Sequence, residues 1–137
     1  MITINIPASV EQILVLQQNI SAALPEKYQE LSFKAELITE ELLTNICKYA
    51  SNDGKTEISF ACGMSFIDSH PAFLIELTNT GDEFNPFTHL KQSGIEGSLE
   101  ERSVGGVGLH LVLEMASHFV YSWIDNRNKI QIFLNAE

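Results

Sequence analysis

The chain has 137 residues, enough for one domain around one core, and 45% of them are hydrophobic. Its 18 acidic against 8 basic side chains give a formal net charge of −10; such a chain repels a phosphate backbone, which argues against nucleic acid as a partner. No apolar run reaches the roughly 20 residues that a membrane span needs, and "MITINIPASV" lacks the basic start and apolar stretch of a secretory signal. The expected location is therefore the cytoplasm, with no membrane contact.

In chain order, Ile2, Ile4 and Ile6 alternate with polar residues in a short strand that ends at Pro7. Ser9 caps a helix running to about Leu24, where Pro25 stops it. A second helix, from about Glu26 to Ala50, carries Leu31, Ala35, Ile38, Leu42, Ile46 and Tyr49 at three- and four-residue steps, and "SNDGK" ends it. The period then changes to two. Ile58, Phe60 and Cys62 alternate in one strand and Phe73, Ile75 and Leu77 in the next, with "GMSFIDSHP" as an antiparallel connection. From Thr80 to about Val104 the chain is polar and without period, and reads as a lid. A glycine-started helix follows, from about Val107 to Ala116. Phe119, Tyr121 and Trp123 then alternate in a strand, "DNRN" turns the chain, and Ile130, Ile132 and Leu134 line a last strand. The order predicts an α+β, two-layer sandwich: a mostly antiparallel mixed sheet with helices on one face. Cys47 and Cys62, among apolar neighbours and without CxxC spacing, read as buried thiols.

Some polar residues sit where packing alone would not put them. At about 100° per residue, Asn45 falls at the edge of the apolar stripe and Glu41 on the same shoulder, one turn away. Two readings stand side by side: a functional pair, or an asparagine satisfying nearby backbone with Glu41 paired to Lys48 or Lys34 in solvent. In "LTNTGDEFNPF" a strand ends at Asn79 and passes through Gly81 into a loop. In "RSVGGVGLHLVLEMASH" a glycine-rich turn opens a helix, so that unpaired N–H groups and the positive end of the helix dipole face a negative ligand; a flexible hinge is the plainer alternative. His110 reads as a surface or half-buried histidine, and Phe119, Tyr121 and Trp123 as a sheet face.

In this order and spacing the three segments resemble the GHKL (Bergerat-fold) ATP-binding domain, and within it the anti-sigma factor serine/threonine kinases of bacterial partner switching. "ELITEELLTNICKYA" is similar to the N box, "IELTNTGDEFNPF" to the first glycine box and "GGVGLHLVLEMASHFVYS" to the second. The resemblance covers nearly the whole chain and implies one ATP-binding domain over residues 1–137, with an ATP lid at about 80–106. It implies that Asn45 ligates Mg²⁺ and that Glu41 is the general base toward a serine or threonine hydroxyl. Lys48, Asn79, Gly81, Arg102, Gly105, Gly106, Gly108 and Leu109 then fall in the ATP site: Gly81 against adenine, the three later glycines and Arg102 on the phosphates, Leu109 as packing. The implied partners are a sigma factor or equivalent output protein and a STAS-domain antagonist, and a homodimer is expected.

Two positions depart from the pattern. Asn79 stands where the family has an aspartate that accepts from the adenine amino group; its amide oxygen can still accept, but the charge is gone, and ATP binding weaker by about 1 to 2 kcal/mol is expected. Glu83 stands in place of a later glycine of the box and must point outward or face Mg²⁺. Two other readings remain: a kinase-inactive module that sequesters a protein partner, and a detached histidine-kinase ATP-binding domain.

Overall fold

The computed structural model describes residues 1–50, 55–88 and 114–137. Among the described residues five strands form one sheet: β1 (Ile2–Pro7), β2 (Glu57–Ile67), β3 (His70–Asn79), β4 (His118–Ile124) and β5 (Arg127–Asn135). Their spatial order is β1-β2-β3-β5-β4. Every described pairing is antiparallel, where a mixed sheet was expected. Two helices, α1 (Ile13–Ala23) and α2 (Ser32–Asn45), cover one face, so the α+β two-layer sandwich holds.

The alternation read from the sequence sets which face is covered. Ile58, Phe60 and Cys62 of β2, Phe73, Ile75 and Leu77 of β3, and Ile130, Ile132 and Leu134 of β5 are all buried; in register Phe60 and Cys62 lie opposite Leu77 and Ile75, and Leu77, Ile75 and Phe73 opposite Ile130, Ile132 and Leu134. Against them pack Leu16 and Ile20 from α1 and Ile38, Leu42, Leu43 and Ile46 from the α2 side. Each such side chain contributes roughly 1.5–3 kcal/mol on burial, which makes this layer the main source of stability. Burial also makes a thiol hard to ionise, and Cys62 is pushed up to about 11.

Local chemistry accounts for the element ends. The Ser9 side chain accepts from the Glu11 N–H at 3.2 Å and caps a 3-10 turn, Val10–Gln12, that leads into α1. The expected second helix is three pieces instead of one. A 3-10 stretch, Glu26–Leu31, departs from helical geometry at Tyr28; α2 follows; and a π-helical turn, Ile46–Ala50, closes it. The Tyr28 hydroxyl donates to Glu137 at 2.5 Å, tying that bend to the last residue.

Both hairpins turn on two residues. Asp68 and Ser69 join β2 to β3, and Asp125 and Asn126 join β4 to β5, all four at positive φ. The "DNRN" turn is therefore where the sequence put it. The earlier connection is far shorter than "GMSFIDSHP", because residues 63–67 continue β2. The helix expected over about 107–116 lies largely outside the described residues.

Truncating the buried layer should be costly and truncating an exposed helix face should not. Ile75→Ala is expected to lose about 2–5 kcal/mol in urea unfolding, and Leu14→Ala, on the 63% exposed Leu14, under about 0.5 kcal/mol.

Candidate functional site

The site begins with α2. Its core stripe buries Ile38 and Leu42, and the same helix carries Asn45 in, leaving it 3% exposed. The Asn45 amide nitrogen donates to the Glu41 carbonyl one turn back at 2.7 Å. That bond fixes which end of the amide is nitrogen and leaves the side-chain oxygen as its second polar atom. Glu41 is half-buried, and its Oε2 has been taken out of water without a hydrogen-bond partner among the described residues. Burial raises its pKa above the ordinary carboxylate value, the neighbouring Glu40 raises it further, and Lys48 opposes both. The sequence left Glu41 two fates; the structure places it half inside, with Lys48 exposed nearby on the π turn.

The π turn delivers the next contact. The Ala50 carbonyl at its end accepts from the Asp82 N–H at 3.2 Å. Gly81 therefore lies directly against Ala50: a Cβ on residue 81 would stand 2.1 Å from that carbonyl oxygen, and the backbone there has φ +122°. Only glycine satisfies both conditions. The end of the N-box helix and the end of β3 are thus joined at residue 81.

Asn79, the last residue of β3, is 1% exposed. Its amide nitrogen donates to the Thr80 carbonyl at 2.9 Å, while its Oδ1 is buried without a partner among the described residues. The nitrogen is turned aside and the acceptor is left over, as a ligand with an amino group requires. An aspartate here would bring a second oxygen toward Thr80, forfeiting a bond worth about 0.5–1.5 kcal/mol.

The loop beyond is held by a residue that sequence reasoning assigned only to a turn. Asn128 is 1% exposed and faces Asn79 across the β3–β5 ladder. Its Oδ1 accepts from the Phe84 N–H at 2.9 Å and from the Tyr121 hydroxyl at 2.6 Å, and its Nδ2 donates to the Asp82 carbonyl at 2.8 Å. The Phe84 ring stacks on Tyr49 with centroids 5.0 Å apart, and Phe87 meets Phe119 at 4.5 Å. Tyr121 and Phe119 thus serve as a sheet face for this loop. Glu83 is exposed, in keeping with an outward-pointing carboxylate. Asn128 could have been found by parity, since it falls in step with Ile130, Ile132 and Leu134.

Arg102, Gly105, Gly106, Gly108, Leu109 and His110 lie outside the described residues, as does most of the expected lid. Among the described residues no group of three or more His, Cys, Asp or Glu side chains is placed to hold a metal ion. An oxygen-seeking cation would instead take the Asn45 amide oxygen together with oxygens of a bound ligand. No described helix is long and apolar enough to cross a membrane.

Comparison with known proteins agrees with this fold. Residues 6–133 match the histidine kinase-like ATPase domain. The chain belongs to that family. Among solved structures it is similar to the histidine kinase domain of a blue-light activated histidine kinase from Erythrobacter litoralis, with a TM-score of 0.52 at 13% identity, covering 96% of this chain and 62% of that one. It is also similar to the Acinetobacter baumannii histidine kinase AdeS, with a TM-score of 0.51 at 12% identity, covering 100% of this chain and 68% of that one. At these identities the likeness is one of fold. No curated protein matches the chain in sequence.

Two outcomes follow for the site. Gly81→Ala is expected to destabilise the fold by at least about 1–3 kcal/mol from its backbone conformation alone, read by thermal or urea unfolding. For Glu41, a carboxyl whose folded pKa exceeds its unfolded value favours folding while protonated. That contribution is whole below the unfolded pKa and is lost as pH rises through the folded one. Glu41→Gln is accordingly expected to raise Tm at pH 7 and to change it less at pH 4.

Proposed function

We propose that this domain binds Mg-ATP between α2, the end of β3 and the Gly81–Phe84 turn, and transfers the γ-phosphoryl group to a serine or threonine of a protein partner. The observation that carries the reading is that two of the buried polar atoms without partners among the described residues, Asn79 Oδ1 and Glu41 Oε2, sit on the strand and the helix whose ends are joined by the Gly81–Ala50 contact. Orphaned buried acceptors cost about 1–3 kcal/mol each, and polar groups of this kind are retained where a ligand completes them.

Bound ATP would supply the transferable phosphoryl group, and this chain's residues would arrange it. Asn79 Oδ1 accepts from the adenine amino group, and Gly81 lets the backbone approach the base. The Asn45 amide oxygen would hold Mg²⁺, which would neutralise phosphate charge, and Lys48 would add positive charge. Glu41 takes the proton of the attacking hydroxyl as the hydroxyl oxygen bonds the γ-phosphorus and the bond to ADP breaks. Its raised pKa suits that role, because a carboxylate that binds protons more tightly is the better base. Arg102 and the glycines at 105, 106 and 108 complete the phosphate end in the same reading. The acceptor protein is a STAS-type antagonist, and a sigma factor or equivalent output protein is the partner released or held, in a cytoplasmic switch. Transfer to histidine is the second reading, favoured by the likeness to the two histidine kinases.

Chemistry separates the readings. Incubated with γ-labelled ATP, Mg²⁺ and a STAS-type antagonist, the protein is expected to place an acid-stable label on serine or threonine, lost in both Glu41→Gln and Asn45→Ala. An acid-labile label would identify histidine as the acceptor. Calorimetric binding of Mg-ATP that Asn45→Ala abolishes, without any label, would leave a sequestering module.

A further inference from the structure

The polar end of the β3–β5 ladder is built from two facing asparagines with different tasks. Asn79 keeps a buried oxygen without a partner among the described residues, and Asn128 bonds Phe84 and Asp82 of the neighbouring loop and Tyr121 of β4. The two are linked through backbone. Among the described residues the Asn79 amide is oriented by the Thr80 carbonyl that takes its nitrogen, so its orientation depends on where the peptide after Thr80 lies. That peptide leads into Asp82, whose N–H is fixed by the Ala50 carbonyl and whose C=O is fixed by Asn128. Residue 82 is bracketed between the helix end and the sheet. Residue 80 is tied to β2 on its other side, its N–H donating to the Glu57 carbonyl at 3.3 Å and its hydroxyl accepting from the Glu57 N–H at 3.3 Å. Without the Asn128 bond the peptide between residues 80 and 82 loses its anchor to β5, and the Thr80 carbonyl gains freedom to turn away from the Asn79 nitrogen.

An asparagine amide has two nearly isosteric ends, one accepting and one donating. Held as it is, Asn79 offers an acceptor; turned over, it would offer a donor. Purines differ at position 6 in that respect. Adenine carries an amino group that donates, and hypoxanthine carries an oxygen that accepts.

We infer that Asn128 is a positioning residue that fixes purine choice, by holding the Gly81–Phe84 turn so that Asn79 can present only its oxygen. Tyr121 assists, since its hydroxyl occupies one lone pair of Asn128 and orients that amide in turn. The inference rests on the nucleotide reading above, and it adds a residue from a different strand whose effect is on selectivity.

The test measures ATP and inosine triphosphate affinities by calorimetry with Mg²⁺ for the native protein, Asn128→Ala and the milder Tyr121→Phe. Amide exchange at Phe84 is followed in the same samples. The native protein is expected to prefer ATP by about tenfold or more, the worth of one well-made hydrogen bond. Asn128→Ala is expected to narrow that preference to within about threefold and to speed exchange at Phe84, with Tyr121→Phe intermediate. A destabilised protein with an intact clamp loses both affinities alike, so Leu134→Val, on the buried far part of β5, should keep the native ratio. An unchanged ratio in Asn128→Ala, or a native protein that binds both nucleotides equally, overturns the inference while leaving nucleotide binding intact. A native protein that binds neither overturns the nucleotide reading and this inference together.

Discussion

The carbonyl oxygen of Ala50 leaves no room for a side chain at residue 81, and the rest of the site depends on that exclusion. It brings the end of a helix and the end of a strand into backbone contact, so the two elements that carry the candidate polar residues meet there. From the helix come Glu41 and Asn45; from the strand comes Asn79. The π turn between Asn45 and Ala50 is part of the same constraint, because its wider winding sets where the Ala50 carbonyl ends up. A packed hydrophobic layer alone would not specify this meeting. It supplies the stability that lets one end of the sandwich carry unsatisfied polar atoms.

The buried polar residues divide accordingly. Asn128 makes three side-chain hydrogen bonds, whereas Asn79 and Glu41 each keep one atom without a partner among the described residues. In the interior, a satisfied network specifies structure and an unsatisfied atom costs stability, so a fold keeps the second kind only at limited cost and where it is used. The opposing pulls on Glu41 show the same balance: burial and Glu40 hold the proton on, and Lys48 draws it off.

Much of this was legible in the sequence because hydrophobic periodicity is a local signal. The strands at Ile58, Phe73 and Ile130 and the helix stripe through Ile38 and Leu42 follow from it directly. The N-box pair and the two departures at Asn79 and Glu83 were visible from motif spacing. Three features were not. The 3-10 and π pieces that flank α2 keep nearly the same apolar spacing as an α-helix, so the sequence reads as one run. Gly63 reads as a turn residue but lies inside β2, where a Cβ would stand 3.0 Å from the Met1 Cα, so it is there for close packing. Asn128 sits among turn residues in sequence, and its function depends on Phe84 and Asp82, which are 44 and 46 positions away. No local pattern carries that separation.

Trp123 is the one tryptophan of the chain, and it lies directly opposite Asn128 in the β4–β5 register. An indole beside a buried amide that holds a loop senses any change in that loop's polarity or hydration. The protein therefore contains an intrinsic optical reporter at the point where sheet and loop are coupled, with no second tryptophan to overlap it when excitation is kept beyond the tyrosine band. Events at the polar end of the ladder can be followed in the unlabelled chain, on the timescale of fluorescence mixing experiments.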